Sequence, residues 1–154
     1  MKLLRILLLL VFSSISALSN GQSIVGSWKK TGERLTKKDG KTTSSFNMIV
    51  KAMPCFANIV YTFSAGGKIK EQSADCAPSM MKSIGKELEN SNWKLNGDQL
   101  TLQAVGAASP VKIAKYKVTF AGSDTMIWTF IYADNPGVPN ITKAKQMQTT
   151  YKRQ

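Results

Sequence analysis

Apolar and polar residues alternate along most of the chain after residue 22, as in β-strands that turn one face toward a core. In residues 57–64, for example, Ile59, Tyr61 and Phe63 share one face. Turn sequences such as Asp39-Gly40 separate the alternating stretches and favour hairpins. The strand-like stretches are residues 24–34, 45–53, 57–64, 68–73, 93–95, 99–103, 110–120, 126–133 and 141–152.

Two further segments complete the pattern. Residues 78–90 place Met80, Met81, Ile84 and Leu88 at helical spacing, which indicates a short helix or an ordered loop. Residues 134–140 hold two prolines and a glycine and are expected to form a loop. With about eight strands and no βα repeats, the chain is predicted to be all-β, either an up-and-down barrel or a sandwich.

The N-terminus has the pattern of an export signal. Lys2 and Arg5 precede an apolar run over residues 6–12, and small residues follow as far as Gly21. The run is shorter than the about 20 apolar residues that a membrane span needs. No cysteine follows it to direct lipoprotein processing. We therefore expect residues 1–21 to be a secretory signal peptide and residues 22–154 to be one secreted or periplasmic domain without a transmembrane span.

Export changes the interpretation of the charge. Without Lys2 and Arg5, 19 basic and 9 acidic residues remain, a formal net charge of +10. This excess favours anionic partners such as phosphates, acidic glycans or lipid head groups. The lysines are spread over most strands instead of being gathered in one segment, so we expect no nucleic-acid binding.

Export also bears on the two cysteines. Cys55 and Cys76 would meet an oxidising compartment, which favours a disulfide between them. In the chain-entropy model, closing a loop of about 20 residues stabilises a fold by roughly 3 kcal/mol. The alternatives are two free thiols or a metal site. The chain has no histidine to complete a metal site, and we expect neither a metal nor another cofactor.

Four stretches, in this order, resemble the bacterial lipocalin-like domain proteins. They are Gly26-Ser27-Trp28, Tyr61-Thr62-Phe63, residues 93–102 and Thr150-Tyr151-Lys152-Arg153. The resemblance covers nearly all of residues 22–154. It implies a small exported barrel of about eight antiparallel strands in up-and-down order, with residues 78–90 as an insertion. Two cysteines flanking the Tyr-x-Phe hairpin are also common in that family.

The resemblance further implies how one barrel end is closed. In lipocalins the tryptophan of the Gly-x-Trp motif lies at one end of the barrel, and an arginine near the last strand packs over it. Gly26, Trp28 and Arg153 match these positions. A guanidinium over an indole contributes roughly 0.5–2 kcal/mol.

Residues typical of catalytic sites are scarce in this chain. Without histidine, the common general base and the Ser-His and Cys-His pairs are absent. Asp98 and Asp124 fall in turns, and Glu87 and Glu89 fit a solvated helix end. No phosphate loop or dinucleotide motif occurs. We expect a protein without enzymatic activity.

An eight-stranded barrel encloses either packed side chains or one small ligand. The apolar faces that would line a ligand site are Tyr61, Phe63, Leu100, Leu102, Val118, Phe120, Trp128 and Phe130. The first functional hypothesis is a monomeric binding protein for a small apolar or amphipathic molecule. The alternative is a cell-envelope protein whose basic surface binds acidic glycans, lipid head groups or a protein. A weaker third option is an inhibitor that presents its loops to an enzyme.

The signal-peptide interpretation predicts the N-terminus of the exported protein. The small residues fit cleavage before Asn20 or before Gln22. Intact-mass measurement and N-terminal sequencing of protein recovered from its host should find one of these two starts. A protein that still begins at Met1 would contradict the prediction.

Overall fold

The computed structural model describes residues 22–73, 76, 91–104 and 113–154. The strands are β1 (Gly26–Lys37), β2 (Thr42–Ser44), β3 (Val60–Phe63), β4 (Ile69–Gln72), β5 (Ser91–Asn96), β6 (Gln99–Ala104), β7 (Ile113–Ala121), β8 (Thr125–Ile131) and β9 (Ala144–Arg153). The helices are α1 (Phe46–Ala52) and the short 3₁₀ helices Pro54–Asn58 and Tyr132–Asp134. The insertion predicted at residues 78–90 lies outside the described residues.

Eight strands form a nearly closed antiparallel barrel in up-and-down order. Their order is β4-β3-β1-β9-β8-β7-β6-β5, so β1 pairs with β9, and β2 pairs separately with the second half of β1. The two ends of this sheet meet through a bridge between Lys68 and Asn92, and the Trp93 amide donates to the Gly67 carbonyl at 2.7 Å. The all-β barrel predicted from the sequence is confirmed.

The two ends of the barrel differ in their connections. Short turns at residues 64–68, 97–98 and 122–124 join β3 to β4, β5 to β6 and β7 to β8 at one end, which we call the turn end. The connections β4–β5, β6–β7 and β8–β9 leave from the opposite end, which we call the loop end. β1 begins at the turn end and β9 finishes there, because the strands are antiparallel.

Trp28 and Arg153 lie together at the turn end. Trp28 is fully buried, and its indole N–H donates to the Ile24 carbonyl at 2.8 Å. The Arg153 guanidinium carbon lies 4.3 Å from the centroid of the Trp28 ring, and Arg153 also donates to the Val25 carbonyl at 3.2 Å. Gly26 is needed beside them: its φ is +132°, and a Cβ there would lie 2.7 Å from Arg153 Nη1.

Residues 45–53, which the alternation predicted to be a strand, instead contain α1, so this prediction is wrong. Phe46, Ile49 and Val50 are the helix residues turned away from solvent, and their spacing matches one helical face. A short apolar run fits either element, and periodicity alone does not separate them. The preceding strand is only three residues long, Thr42–Ser44.

Smaller differences occur at two other connections. The last strand begins at Ala144, three residues later than predicted, after a turn in which Lys143 has a φ of +54°. Between β5 and β6, Gly97 has a φ of +61°, and no described non-glycine residue other than Lys143 has a positive φ. The hairpin therefore has a positive φ only at its first central residue, as in a type II′ turn, whereas the sequence Asn96-Gly97-Asp98 favours a type I′-like turn.

A disulfide joins Cys55 and Cys76, which confirms the pairing expected from export. Their Cα atoms are 5.2 Å apart, within the usual range. Cys55 lies in the 3₁₀ helix before β3, and Cys76 follows β4. The bond therefore ties the segment that precedes the β3–β4 hairpin to the segment that follows it.

Truncation of Trp28 tests how far the barrel depends on its turn end. Trp28→Ala should lower the free energy of unfolding by about 3–5 kcal/mol, because it removes a fully buried indole and leaves a cavity. Urea unfolding followed by circular dichroism measures this change. Lys94→Ala, at an exposed position on β5, is the control and should unfold as the wild type does. Wild-type stability in Trp28→Ala would contradict the prediction.

Candidate functional site

The strand register shows which side chains face the barrel interior. Residues directly opposite each other on neighbouring antiparallel strands lie on the same face of the sheet. Thr149 on β9 is paired with Trp128 on β8 and with Glu33 on β1, and Trp128 is paired with Val118 on β7. Trp128 and Val118 belong to the buried core. Glu33 and Thr149 therefore face the interior as well.

All eight residues that the sequence analysis proposed as barrel lining lie on inward faces. The six buried ones are Phe63, Leu100, Leu102, Val118, Trp128 and Phe130, and the two partly buried ones are Tyr61 and Phe120. Several of these side chains contact one another directly: the ring centroids of Phe63 and Trp128, for example, are 5.5 Å apart. These eight residues are thus part of the packed barrel core.

The interior also holds an ion pair that the sequence analysis did not identify. The Lys30 ammonium donates to Glu33 Oε2, and the Ser45 hydroxyl donates to Glu33 Oε1. The side chains of Lys30 and Glu33 are only 21% and 13% exposed. Phe46, the first residue of α1, places its ring 5.6 Å from the Lys30 ammonium. The residues at the start of α1 therefore contact this pair directly.

A β-bulge explains why strand alternation did not reveal the pair. Residues three apart in a regular strand point to opposite faces. The register of β1 against β9 shifts between Lys30, which is paired with Tyr151, and Gly32, which is paired with Thr150. Thr31 is the extra residue, and a bulge of this kind changes the face of every later side chain. Lys30 and Glu33 consequently share the inner face.

Tyr151 lies next to this pair and is buried. Burial raises the pKa of the Tyr151 hydroxyl well above its usual value of 10.0, and the nearby phenols and carboxylates, Tyr61 first among them, raise it further. The Tyr151 ring lies 6.0 Å from the ring of Tyr61 and 4.9 Å from the ring of Trp128. We use "interior polar cluster" for Lys30, Glu33, Tyr61, Tyr116 and Tyr151.

Trp128 borders the interior polar cluster and carries an unpaired donor. Its side chain is 2% exposed, and its indole N–H has no hydrogen-bond partner. Among the described residues, no other buried side-chain nitrogen or oxygen lacks one. Its ring lies 5.2 Å from Tyr116 and 4.9 Å from Tyr151, centroid to centroid. An unsatisfied buried donor costs about 1–3 kcal/mol, so buried donors in proteins usually have a partner in the protein, a bound water or a ligand.

Acidic residues at the turns have structural partners. Asp98 lies 3.3 Å from the Lys117 ammonium, and Asp124 lies 3.0 Å from that of Lys152. The hydrogen bond from Lys152, with a second from Thr125, lowers the pKa of Asp124.

Among the described residues, no three potential metal ligands lie together, and no helix is long and apolar enough to cross a membrane.

Comparison with protein-family models, curated proteins and solved structures gives no match to this chain.

The buried phenol predicts how stability depends on pH. Because the pKa of Tyr151 is raised in the folded protein, the unfolded chain loses this proton first, near pH 10.0. Stability should therefore fall as the pH rises above that value, by up to about 1.4 kcal/mol per pH unit. Tyr151→Phe keeps the ring but removes the proton, so its stability should fall less steeply in urea unfolding between about pH 8 and 11.

Val118→Ala serves as a control for that measurement. It removes buried apolar volume but no ionisable group, so it should lower stability by a similar amount at every pH. Equal slopes for the wild type and Tyr151→Phe would contradict the prediction.

Proposed function

We propose that this protein is an exported lipocalin-like binding protein that holds a small amphipathic molecule inside its barrel. The observation that carries the proposal is the unpaired indole N–H of Trp128, buried beside the interior polar cluster. Because the interior side chains pack against one another, they would move apart to admit the ligand. The apolar part of the ligand would then lie against the aromatic side chains, and a ligand oxygen would accept a hydrogen bond from the Trp128 N–H.

The polarity of the interior supports binding over a purely structural core. Removing Lys30 and Glu33 from water is costly, and replacing such pairs by apolar residues often leaves stability unchanged or raises it. Tyr151 adds a buried hydroxyl. Ligand sites in proteins typically combine apolar and aromatic walls with a few polar groups that orient the ligand. The interior of this barrel has that composition.

The two barrel ends suggest where the ligand would enter. At the turn end, Trp28 is fully buried under the Arg153 guanidinium, and Arg153 is hydrogen-bonded to the N-terminal segment. At the loop end the connections are longer. Phe46 reaches Lys30 from α1, so movement of α1 would expose the ion pair. We therefore infer that the ligand enters from the loop end, past α1.

The hydrogen-bonding groups narrow the chemistry of the ligand. Lys30 and Glu33 neutralise each other, so the cluster offers no unpaired charge from these two residues. The Trp128 N–H can only donate. An uncharged ligand with a carbonyl, ether or hydroxyl oxygen next to an apolar body fits this arrangement best.

Native mass spectrometry of protein purified from its host tests the proposal, and a co-purifying small molecule is expected. The dye Prodan, an uncharged aromatic ketone, serves as a defined probe for protein stripped of that molecule. Trp128→Phe keeps an aromatic ring but removes the donor, so it should bind Prodan up to roughly tenfold more weakly.

Trp93→Phe is the matched control. This substitution also removes an indole N–H. In the wild type, however, the Trp93 N–H already donates to the Lys68 carbonyl at 3.2 Å, where β4 meets β5 and closes the barrel. Its Prodan affinity should stay close to that of the wild type. Absence of a bound molecule, together with equal affinities for the two variants, would overturn the proposal.

A further inference from the structure

An apolar groove of about 610 Å³ lies on the outer surface where β8 leads into β9. Residues of the β8–β9 connection form most of its wall, and two lysines, Lys38 and Lys145, border it. The apolar members larger than alanine are Ile131, Tyr132, Pro136, Val138 and Pro139. The groove lies at the loop end, and none of its lining residues belongs to the interior polar cluster.

Ile141 projects from the same connection. It is 90% exposed, the most exposed large hydrophobic residue in the described part of the chain. The backbone around it is well held: the Asn140 side chain both donates to the Ala144 carbonyl at 2.8 Å and accepts from the Ala144 amide at 3.0 Å. The Lys143 amide also donates to the Asn140 carbonyl at 3.2 Å. The exposure of Ile141 is therefore set by an ordered turn and not by a frayed end.

Lysines surround this apolar surface. Lys37 is paired with Ala144 across the sheet, and Lys38, Lys143 and Lys145 are exposed nearby. Within the described ranges, none of these four lysines forms an ion pair with an acidic side chain. Lys117 and Lys152 at the turn end are paired with aspartates, and next to Lys38 the exposed Asp39 is paired with Lys41. Asp134 in the β8–β9 connection is also exposed, so the groove lies in a region of net positive charge, where four lysines outnumber these two aspartates.

We propose that this face, the groove with Ile141 and its four lysines, docks the protein onto an anionic lipid bilayer. Exposed apolar side chains rimmed by basic residues are typical of interfacial membrane binding. Lysines near an anionic leaflet attract it, and an isoleucine inserts among the acyl chains. An acidic protein would use the lysines but would not require an isoleucine exposed to this degree.

Docking through this face would place the loop end of the barrel against the membrane. That is the end from which a ligand would enter, so an amphipathic molecule would pass between bilayer and barrel without crossing water. The docking inference nevertheless stands independently of the proposed function, because none of its residues belongs to the interior polar cluster.

Vesicle flotation tests the inference with protein purified after export. The protein should float with vesicles of phosphatidylcholine and phosphatidylglycerol but not with phosphatidylcholine alone. Binding should weaken as salt is added, because salt screens exposed charges. Failure to bind the anionic vesicles at low salt would overturn the inference.

A pair of double variants separates a local effect from the overall charge. Lys38→Gln with Lys145→Gln should lower the partition coefficient between water and the anionic vesicles about 25-fold, because each lysine near the membrane surface contributes about fivefold. Lys70→Gln with Lys94→Gln makes the same change in net charge on exposed positions of β4 and β5, across the barrel from β8 and β9. This control should change binding about twofold or less. Equal losses in the two double variants would overturn the inference.

Ile141→Ser tests the lipid contact itself. Because the side chain is 90% exposed, the thermal stability of the protein should not change. Binding to the anionic vesicles should fall about tenfold, while binding to soluble polyglutamate should not change. If Ile141→Ser binds vesicles as the wild type does and polyglutamate competes fully, the face binds acidic macromolecules and the membrane inference is wrong.

Prodan affinity, measured on the same variants, separates the two proposals. Wild-type Prodan affinity with lost flotation in Lys38→Gln/Lys145→Gln would support docking as a separate property. Flotation of a wild-type protein that binds no Prodan would contradict the proposed function alone.

Discussion

The pairing of β1 with β9 is the constraint on which the rest of the structure depends. These strands lie near opposite ends of the chain, and their contact joins β3 and β4 to the run of strands from β5 to β9. Their register brings Trp28 opposite Arg153 at the turn end and Lys30 opposite Tyr151 in the interior. The same pairing thus sets both the closure of one barrel end and the position of the polar groups inside it.

The bulge at Thr31 determines what kind of interior the barrel has. Without the extra residue, Lys30 and Glu33 would face opposite sides of β1, and one of them would point to solvent. With it, both lie inside and form an ion pair that Ser45 and Phe46 complete from the start of α1. The bulge therefore adds a buried ion pair to a largely apolar and aromatic interior, next to the unpaired donor of Trp128.

The two barrel ends divide structural and functional roles. The turn end combines tight hairpins, a buried tryptophan and aspartate–lysine pairs, all of which favour rigidity. The loop end has the longer connections, an exposed Ile141 and four lysines, Lys37, Lys38, Lys143 and Lys145, without acidic partners in the described residues. The disulfide from Cys55 to Cys76 links segments on either side of the β3–β4 hairpin. Binding to a ligand or a membrane would thus involve the end with the longer connections, which the disulfide ties together beside β3 and β4.

Local sequence patterns determined the all-β class and most of the strands. They also placed residues such as Phe63 and Trp128 on apolar strand faces and favoured a bond between the two cysteines, but the tertiary structure decided which faces point inward. Alternation and turn chemistry act over a few residues, so they can be recognised in the sequence. Only the tertiary structure decided that residues 46–52 form a helix and that Lys30 and Glu33 share the interior. The face of a side chain after a bulge depends on the register with a strand more than 100 positions away, and that register is set by packing across the whole barrel.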